Sequence, residues 1–166
     1  MLRSYLPGLA HFNTRNPEHW FAFGLGSGLL PAAPGTMGTL AAIPFFLLLS
    51  LLPVPLYVLL VAAAIPVGIH ICGRVADELG EKDPQIIVGD EMLGYLVAMT
   101  AVPAGPQWII AGLALFRLFD ILKPWPIHRL QRLPGGLGIV ADDLAAGLAT
   151  WVVLQGMLLL VAASLR

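Results

Sequence analysis

Long apolar runs alternate with short breaks along this chain, and the breaks are of two kinds: uncharged and charged. From Leu40 to Cys72 no charged residue occurs, a run longer than the ~20 residues that one bilayer crossing needs. Pro53-Val54-Pro55 divides it, and proline interrupts a helix by removing a donor and clashing with the preceding turn. The pattern predicts a helical hairpin, 38–52 and 56–72, with Pro44 and Pro66 as candidate kinks. Asp83-Pro84 has the form of an N-cap followed by proline at the first helical position. A helix is therefore predicted over 84–102 with Asp90 and Glu91 in its second turn, or alternatively starting nearer Asp90. Pro103–Pro106 turns the chain, 107–123 runs back to Pro124, and 143–165 forms a last apolar helix opening on Asp142 and Asp143. The 84–102 and 107–123 segments are short for full crossings, so each is read as crossing or half-buried.

The remaining stretches read as connections. Residues 1–23 form a polar and aromatic lead-in, in which Trp20, Phe21 and Phe23 suit an anchor at headgroup level. Positions 1–30 hold no contiguous apolar segment of the kind a cleaved signal requires. The Gly- and Pro-rich stretch 24–39 is predicted to be a loop with tight turns. Residues 73–84, the most charged part of the chain, are predicted to face solvent, and 124–141 to be a basic loop.

Composition turns this pattern into a membrane prediction. The chain is 58% hydrophobic and only 11% charged, with mean hydropathy +0.84. Soluble domains carry about 25% charged residues, so too little polar surface exists to cover a globule in water. A net charge of −1 and the absence of a basic run argue against nucleic acid as a partner. The single Cys72 excludes an internal disulfide. One domain over 1–166 is expected from the length. Drawn up and down, the chain puts its two uncharged turns on one side. All nine Lys and Arg except Arg166 fall on the other, which the positive-inside tendency assigns to the cytoplasm.

The same drawing gathers the acids. Asp90 and Glu91 start one helix, Asp120 ends the next, and Asp142 and Asp143 open the last. Five carboxylates at one depth would repel one another, and a hard divalent cation with oxygen ligands, Mg²⁺ above all, is the economical way to hold them. Arg117, Asp120 and Lys123 share one helical face, and the two cations suit an anionic substrate. The 24–39 loop adds Ser27, Thr36, Thr39 and glycines through which backbone N–H groups can approach a phosphate. Phosphoryl chemistry on a lipid is the reaction class this combination suggests.

Each part also has a plainer reading. Asp90-Glu91 suits a solvated helix start, Arg117/Asp120/Lys123 an intrahelical salt-bridge ladder, and Asp142-Asp143 an N-cap pair. His70 and His128 read as structural, His11 and His19 as surface residues, and Cys72 as a small core residue. Several phosphatase chemistries are excluded by the text of the sequence. There is no Cys-x5-Arg loop, no Asp-x-Asp-x-Thr motif, no Ser-Gly-His with a second histidine, and no phosphatidyltransferase pattern of spaced Asp, Gly and Arg.

Four blocks, GSGLLPAAPGTMGTLAAIP, IVGDEMLGY, FRLFDILKPWPI and GGLGIVADDLAAG, taken in this order over about residues 20–150, closely resemble the phosphatidylglycerophosphatase A family. The resemblance implies an all-α, Mg²⁺-dependent integral membrane enzyme of the bacterial inner membrane, multi-pass, with its active site facing the cytoplasm. It would hydrolyse phosphatidylglycerophosphate to phosphatidylglycerol and phosphate in phospholipid biosynthesis. It carries metal ligation onto Asp90, Glu91, Asp120, Asp142 and Asp143, catalysis onto these and Lys123, and phosphate binding onto Gly35, Thr36, Arg117 and Lys123. Departures are Gly89, where an aromatic can precede the Asp-Glu pair, and the loop around His128 and Gln131. Two other classes set contrasts. A transporter would spread its charges through the bilayer and show inverted repeats, and an assembly factor would bind anionic lipid through Arg129 and Arg132 without turnover.

Overall fold

A computed structural model describes residues 12–164, and among them the chain is helical, with no strand. Helix α1 (Pro17–Ala22) is capped by Asn16, whose side chain accepts the Glu18 N–H, and has proline at its first position. A 3₁₀ stretch, Gly24–Leu29, follows, in which Leu25 and Gly26 take left-handed backbone angles. Helix α2 (Pro34–Leu49) again opens on proline, so the predicted loop of 24–39 already contains its first turn. Helix α3 runs from Val54 to Leu79 and ends where Gly80 adopts the left-handed conformation of a C-cap. The predicted hairpin is thus present with longer arms, and Pro44 and Pro66 sit inside its two helices.

Three predicted boundaries are corrected. The helix expected over 84–102 is α4, Gly89–Ala98, only ten residues long, and of the two predicted starts the one nearer Asp90 is observed. Residues before it are held elsewhere: Val88 donates its N–H to the Ala22 carbonyl at 2.8 Å. Asp83-Pro84 therefore starts no helix, and Asp90 and Glu91 lie in the first turn of α4. The charged stretch 73–84 is not a loop throughout, because α3 continues to Leu79. After α5 (Pro106–Leu122), the supposed loop 124–141 holds the short α6 (Ile127–Leu130) and the first turns of α7 (Gly135–Ser164). Asp142 and Asp143 lie inside α7 and do not cap it. Its opening glycines serve close packing: a Cβ on Gly136 would stand 1.8 Å from the Ile69 carbonyl oxygen of α3.

Helix α4 is the centre of the assembly. It lies along α7 and touches α2, α3 and α5. Tyr95, Leu96 and Met99 join one apolar cluster with Phe46, Tyr57, Phe116 and Leu154, while Leu93 joins another with Phe23, Cys72, Val75 and Val140. A helix this short leaves carbonyls unpaired at its C-terminus, and neighbours supply donors. Tyr57 Oη donates to the Leu96 carbonyl at 2.6 Å, and Trp151 and Gln155 of α7 both donate to the Thr100 carbonyl.

Two helices, α3 and α7, are long and apolar enough to cross a membrane. Their most apolar windows are only 17% and 22% buried inside the protein, so their hydrocarbon surface is left to the surroundings. The sixteen-residue α2 is a shorter apolar helix.

Candidate active site

The site begins with two parallel helices packed backbone to backbone. A Cβ on Gly147 would stand 2.3 Å from the Gly94 carbonyl oxygen, and one on Gly94 would stand 2.6 Å from the Asp143 carbonyl oxygen. Asp90 precedes Gly94 by four residues and Asp143 precedes Gly147 by four, so each carboxylate sits one turn above the contact and on its face. Asp90, Glu91 and Asp143 consequently present oxygens that all lie within 4.8 Å of one another.

Helix α5, antiparallel to both, brings its C-terminal end to the same level. Its Arg117 donates to Asp120 Oδ2 and lies 3.6 Å from Glu91 Oε1. Lys123, held in a left-handed conformation where α5 stops, donates to Asp142 Oδ2 at 2.5 Å and lies 3.7 Å from Asp120 Oδ1. All five predicted carboxylates therefore line one cavity of about 310 Å³, but in two sets. Asp120 and Asp142 are held by cations. Asp90, Glu91 and Asp143 form an acidic trio that, among the described residues, pairs with a cation only through Arg117.

The start of α2 closes the third side. Ala33, Pro34 and Gly35 line the cavity, and a side chain on Gly35 would displace the acid and guanidinium tips, since its Cβ would lie 2.2 Å from Glu91 Oε1 and 2.8 Å from Arg117 Nη1. Thr36 stands half-buried and does not line the cavity. Thr39 donates back to the Gly35 carbonyl, and Ser27 to the Gly24 carbonyl. Asp83, Gln85 and Ile139, none of which the sequence marks as a site residue, do line it.

Electrostatics mark the trio as under-compensated. Burial, and then the charge of Asp143, push the Glu91 carboxyl from 4.5 up to about 8. Burial and the neighbouring Glu91 push Asp90 well above the carboxylate range. For Lys123 burial works to lower the value, but the Asp142 hydrogen bond and the surrounding acids outweigh it and raise it. Asp90 Oδ1 and Glu91 Oε2 are buried with no hydrogen-bond partner among the described residues. Such atoms are costly unless something absent from the protein itself meets them. An all-oxygen donor set of this charge fits a hard divalent cation such as Mg²⁺.

The described histidines stay outside the cavity. His11 lies outside the described residues, and His70 and His128 are exposed. His19, expected at the surface, is buried: its Nδ1 accepts the Asn13 N–H and its Nε2 pairs with Glu78 at 3.0 Å, tying α1 to α3. That partner lies far along the chain, so no local pattern announces it.

Comparison with known proteins bears on this geometry. Residues 20–158 match the family model described as Phosphatidylglycerophosphatase A. The chain is 46% identical to phosphatidylglycerophosphatase A of Escherichia coli over 134 residues, which is 80% of this chain and 78% of that one. It is 42% identical to the protein of the same name from Haemophilus influenzae over 141 residues, 83% of this chain and 86% of the other. No solved structure matches it.

Proposed function

The chain belongs to the phosphatidylglycerophosphatase A family, and from that premise we propose that it hydrolyses the terminal phosphomonoester of phosphatidylglycerophosphate, using Mg²⁺ held by Asp90, Glu91 and Asp143. As a member of that family it is a phosphoric monoester hydrolase. The observation that carries the metal assignment is the trio itself: three acidic side chains within 4.8 Å, two of which, Asp90 and Glu91, each keep a buried oxygen unpaired among the described residues. A bound Mg²⁺ supplies two things, a lowered pKa for its water and shielding of phosphate charge.

The other groups of the cavity have roles set by their position. Arg117 and Lys123 face the space beside the trio and stabilise charge on the phosphoryl oxygens. Asp120 and Asp142 hold those two cations in place through the contacts described above, and so orient the donors before substrate arrives. The N-terminal turn of α2 offers the unpaired N–H groups and positive dipole end that favour a phosphate. The contribution of Gly35 and Thr36 is then main-chain, with Gly35 kept bare by the closeness of Glu91 and Arg117.

The same reading puts the protein in the bacterial inner membrane as a multi-pass protein acting in phospholipid biosynthesis. Helices α3 and α7 cross, α2 and α5 complete the bundle, and α4, about 15 Å long, stays enclosed within it. The carboxylates and most basic residues then share the cytoplasmic side, where grouping at one depth favours catalysis over an ion pathway through the bilayer.

Phosphate release from phosphatidylglycerophosphate, with and without chelator, tests this directly. Asp90→Asn, Glu91→Gln and Asp143→Asn should each lower kcat/KM by more than the ~100-fold typical of residues that merely support a ligand, while the protein remains folded in detergent. Full activity in all three variants would overturn the metal assignment.

A further inference from the structure

A second cavity, of about 530 Å³, lies beside the first and has an opposite character. Trp20, Leu25, Phe45, Leu60, Met92 and Leu93 are among its walls, and no charged side chain among the described residues faces it. Its inner wall is the buried face of α4, while Leu25, Phe45 and Leu60 leave its outer side open. The two cavities share elements. Met92 and Leu93 directly follow Glu91 on α4, and Phe45 stands on α2 ten residues below Gly35. That spacing is about 15 Å along the helix, the depth of one hydrocarbon leaflet when the whole core is ~30 Å.

The lining selects hydrocarbon as the occupant. A peptide would bring N–H and C=O groups that need partners, and the indole N–H of Trp20 is already given to the Thr14 carbonyl. Leu25 is held at φ 56°, ψ 26°, angles that bulky L residues rarely adopt, and in them its side chain lines the slot. We propose that the slot holds one acyl chain of the same lipid phosphate whose headgroup enters the carboxylate cavity. This rests on the lipid-phosphatase reading above and adds to it a site for the tail.

The test uses the full chain in detergent or vesicles and a phosphatidylglycerophosphate carrying a diazirine midway along one acyl chain. Photolabel should fall on the segments around Leu60 and Leu93 and be displaced by unlabelled phosphatidylglycerophosphate but not by phosphatidylcholine. Label spread over the outward Leu159 and Leu160 of α7, or displaced equally by phosphatidylcholine, would overturn the slot as a substrate site. Labelling needs no turnover, so labelling in the slot by a protein that releases no phosphate would uphold the slot and count against the phosphatase reading. As a second measurement, Ala64→Phe narrows the slot at one of its walls. The ratio of kcat/KM for palmitoyl over octanoyl substrate should fall about tenfold, the loss of about two buried methylenes. A fall in both rates with the ratio unchanged would overturn it.

Discussion

Glu91 has the bare Cα of Gly35 on one side and the Arg117 guanidinium on the other, and one of its oxygens remains unpaired among the described residues. Such a carboxyl binds its proton more tightly in the folded protein than in the unfolded chain. Linkage fixes the sign of the result. Between 4.5 and about 8 the native state holds more protons than the unfolded one, so stability is greatest below this window and falls as pH rises through it. Metal-free protein should therefore melt at progressively lower temperature across that window. Mg²⁺ should restore the loss, and Glu91→Gln should flatten the slope; thermal melts with chelator and with Mg²⁺ check all three. At this scale the sequence is informative because charge inside an apolar run is expensive, which singles out Asp90-Glu91 and Asp120. It does not divide the acids into a trio and a cation-held pair, since that depends on where Arg117 and Lys123 reach. Nor does it reveal the burial of His19, whose partner Glu78 belongs to another helix.

Among the elements, the crossing of α4 and α7 determines whether the trio exists at all. Gly94 and Gly147 meet main chain to main chain, and any added side chain must push the helices apart. Gly147→Ala should cost about 1–3 kcal/mol of stability by overpacking. It should also reduce activity and weaken Mg²⁺ dependence, because Asp143 moves away from Asp90 and Glu91. Gly156→Ala on the same helix is the control: nothing among the described residues lies within 4 Å of its would-be Cβ. Replacing glycine there should be neutral or stabilising by up to ~1 kcal/mol. Denaturation and phosphate-release assays on the pair separate a local packing effect from general fragility. These glycines also explain why the last helix begins earlier than its sequence suggests. A cluster such as Gly135-Gly136 ordinarily signals a loop, but here the missing side chain of Gly136 lets α7 begin against α3. The hairpin of α2 and α3 is legible because prolines and uncharged runs act locally. For α4 the sequence leaves two starts open, and the later one, nearer Asp90, is set by a hydrogen bond from Val88 to α1.

For the molecule as a whole, its exposed apolar area is the dominant fact. Leu48, Leu51, Leu59, Leu159 and Leu160 are each more than 60% exposed, and none of them lines the carboxylate cavity. Scattered apolar residues are normal on soluble proteins, but continuous apolar faces are not. The protein should accordingly require detergent or lipid to remain dispersed, and dilution below the micelle concentration should bring aggregation, measurable by light scattering, with activity lost in parallel.

The pinning of α4 has a further consequence, for the order in which the protein is made. A ten-residue helix is too short to be accepted by a bilayer on its own. The donors that close its lower end, Trp151 and Gln155, are synthesised 51 and 55 residues after the Thr100 carbonyl they meet. Asp142 and Asp143 likewise follow it along the chain. In the membrane arrangement proposed above, the segment around Asp90 and Glu91 waits outside the hydrocarbon until α7 arrives to receive it. A chain halted after Ala141 should react at Asp90 with a water-soluble carboxyl reagent faster than the finished protein does, where Asp90 is only 6% exposed, so that the arrival of α7 completes the active site.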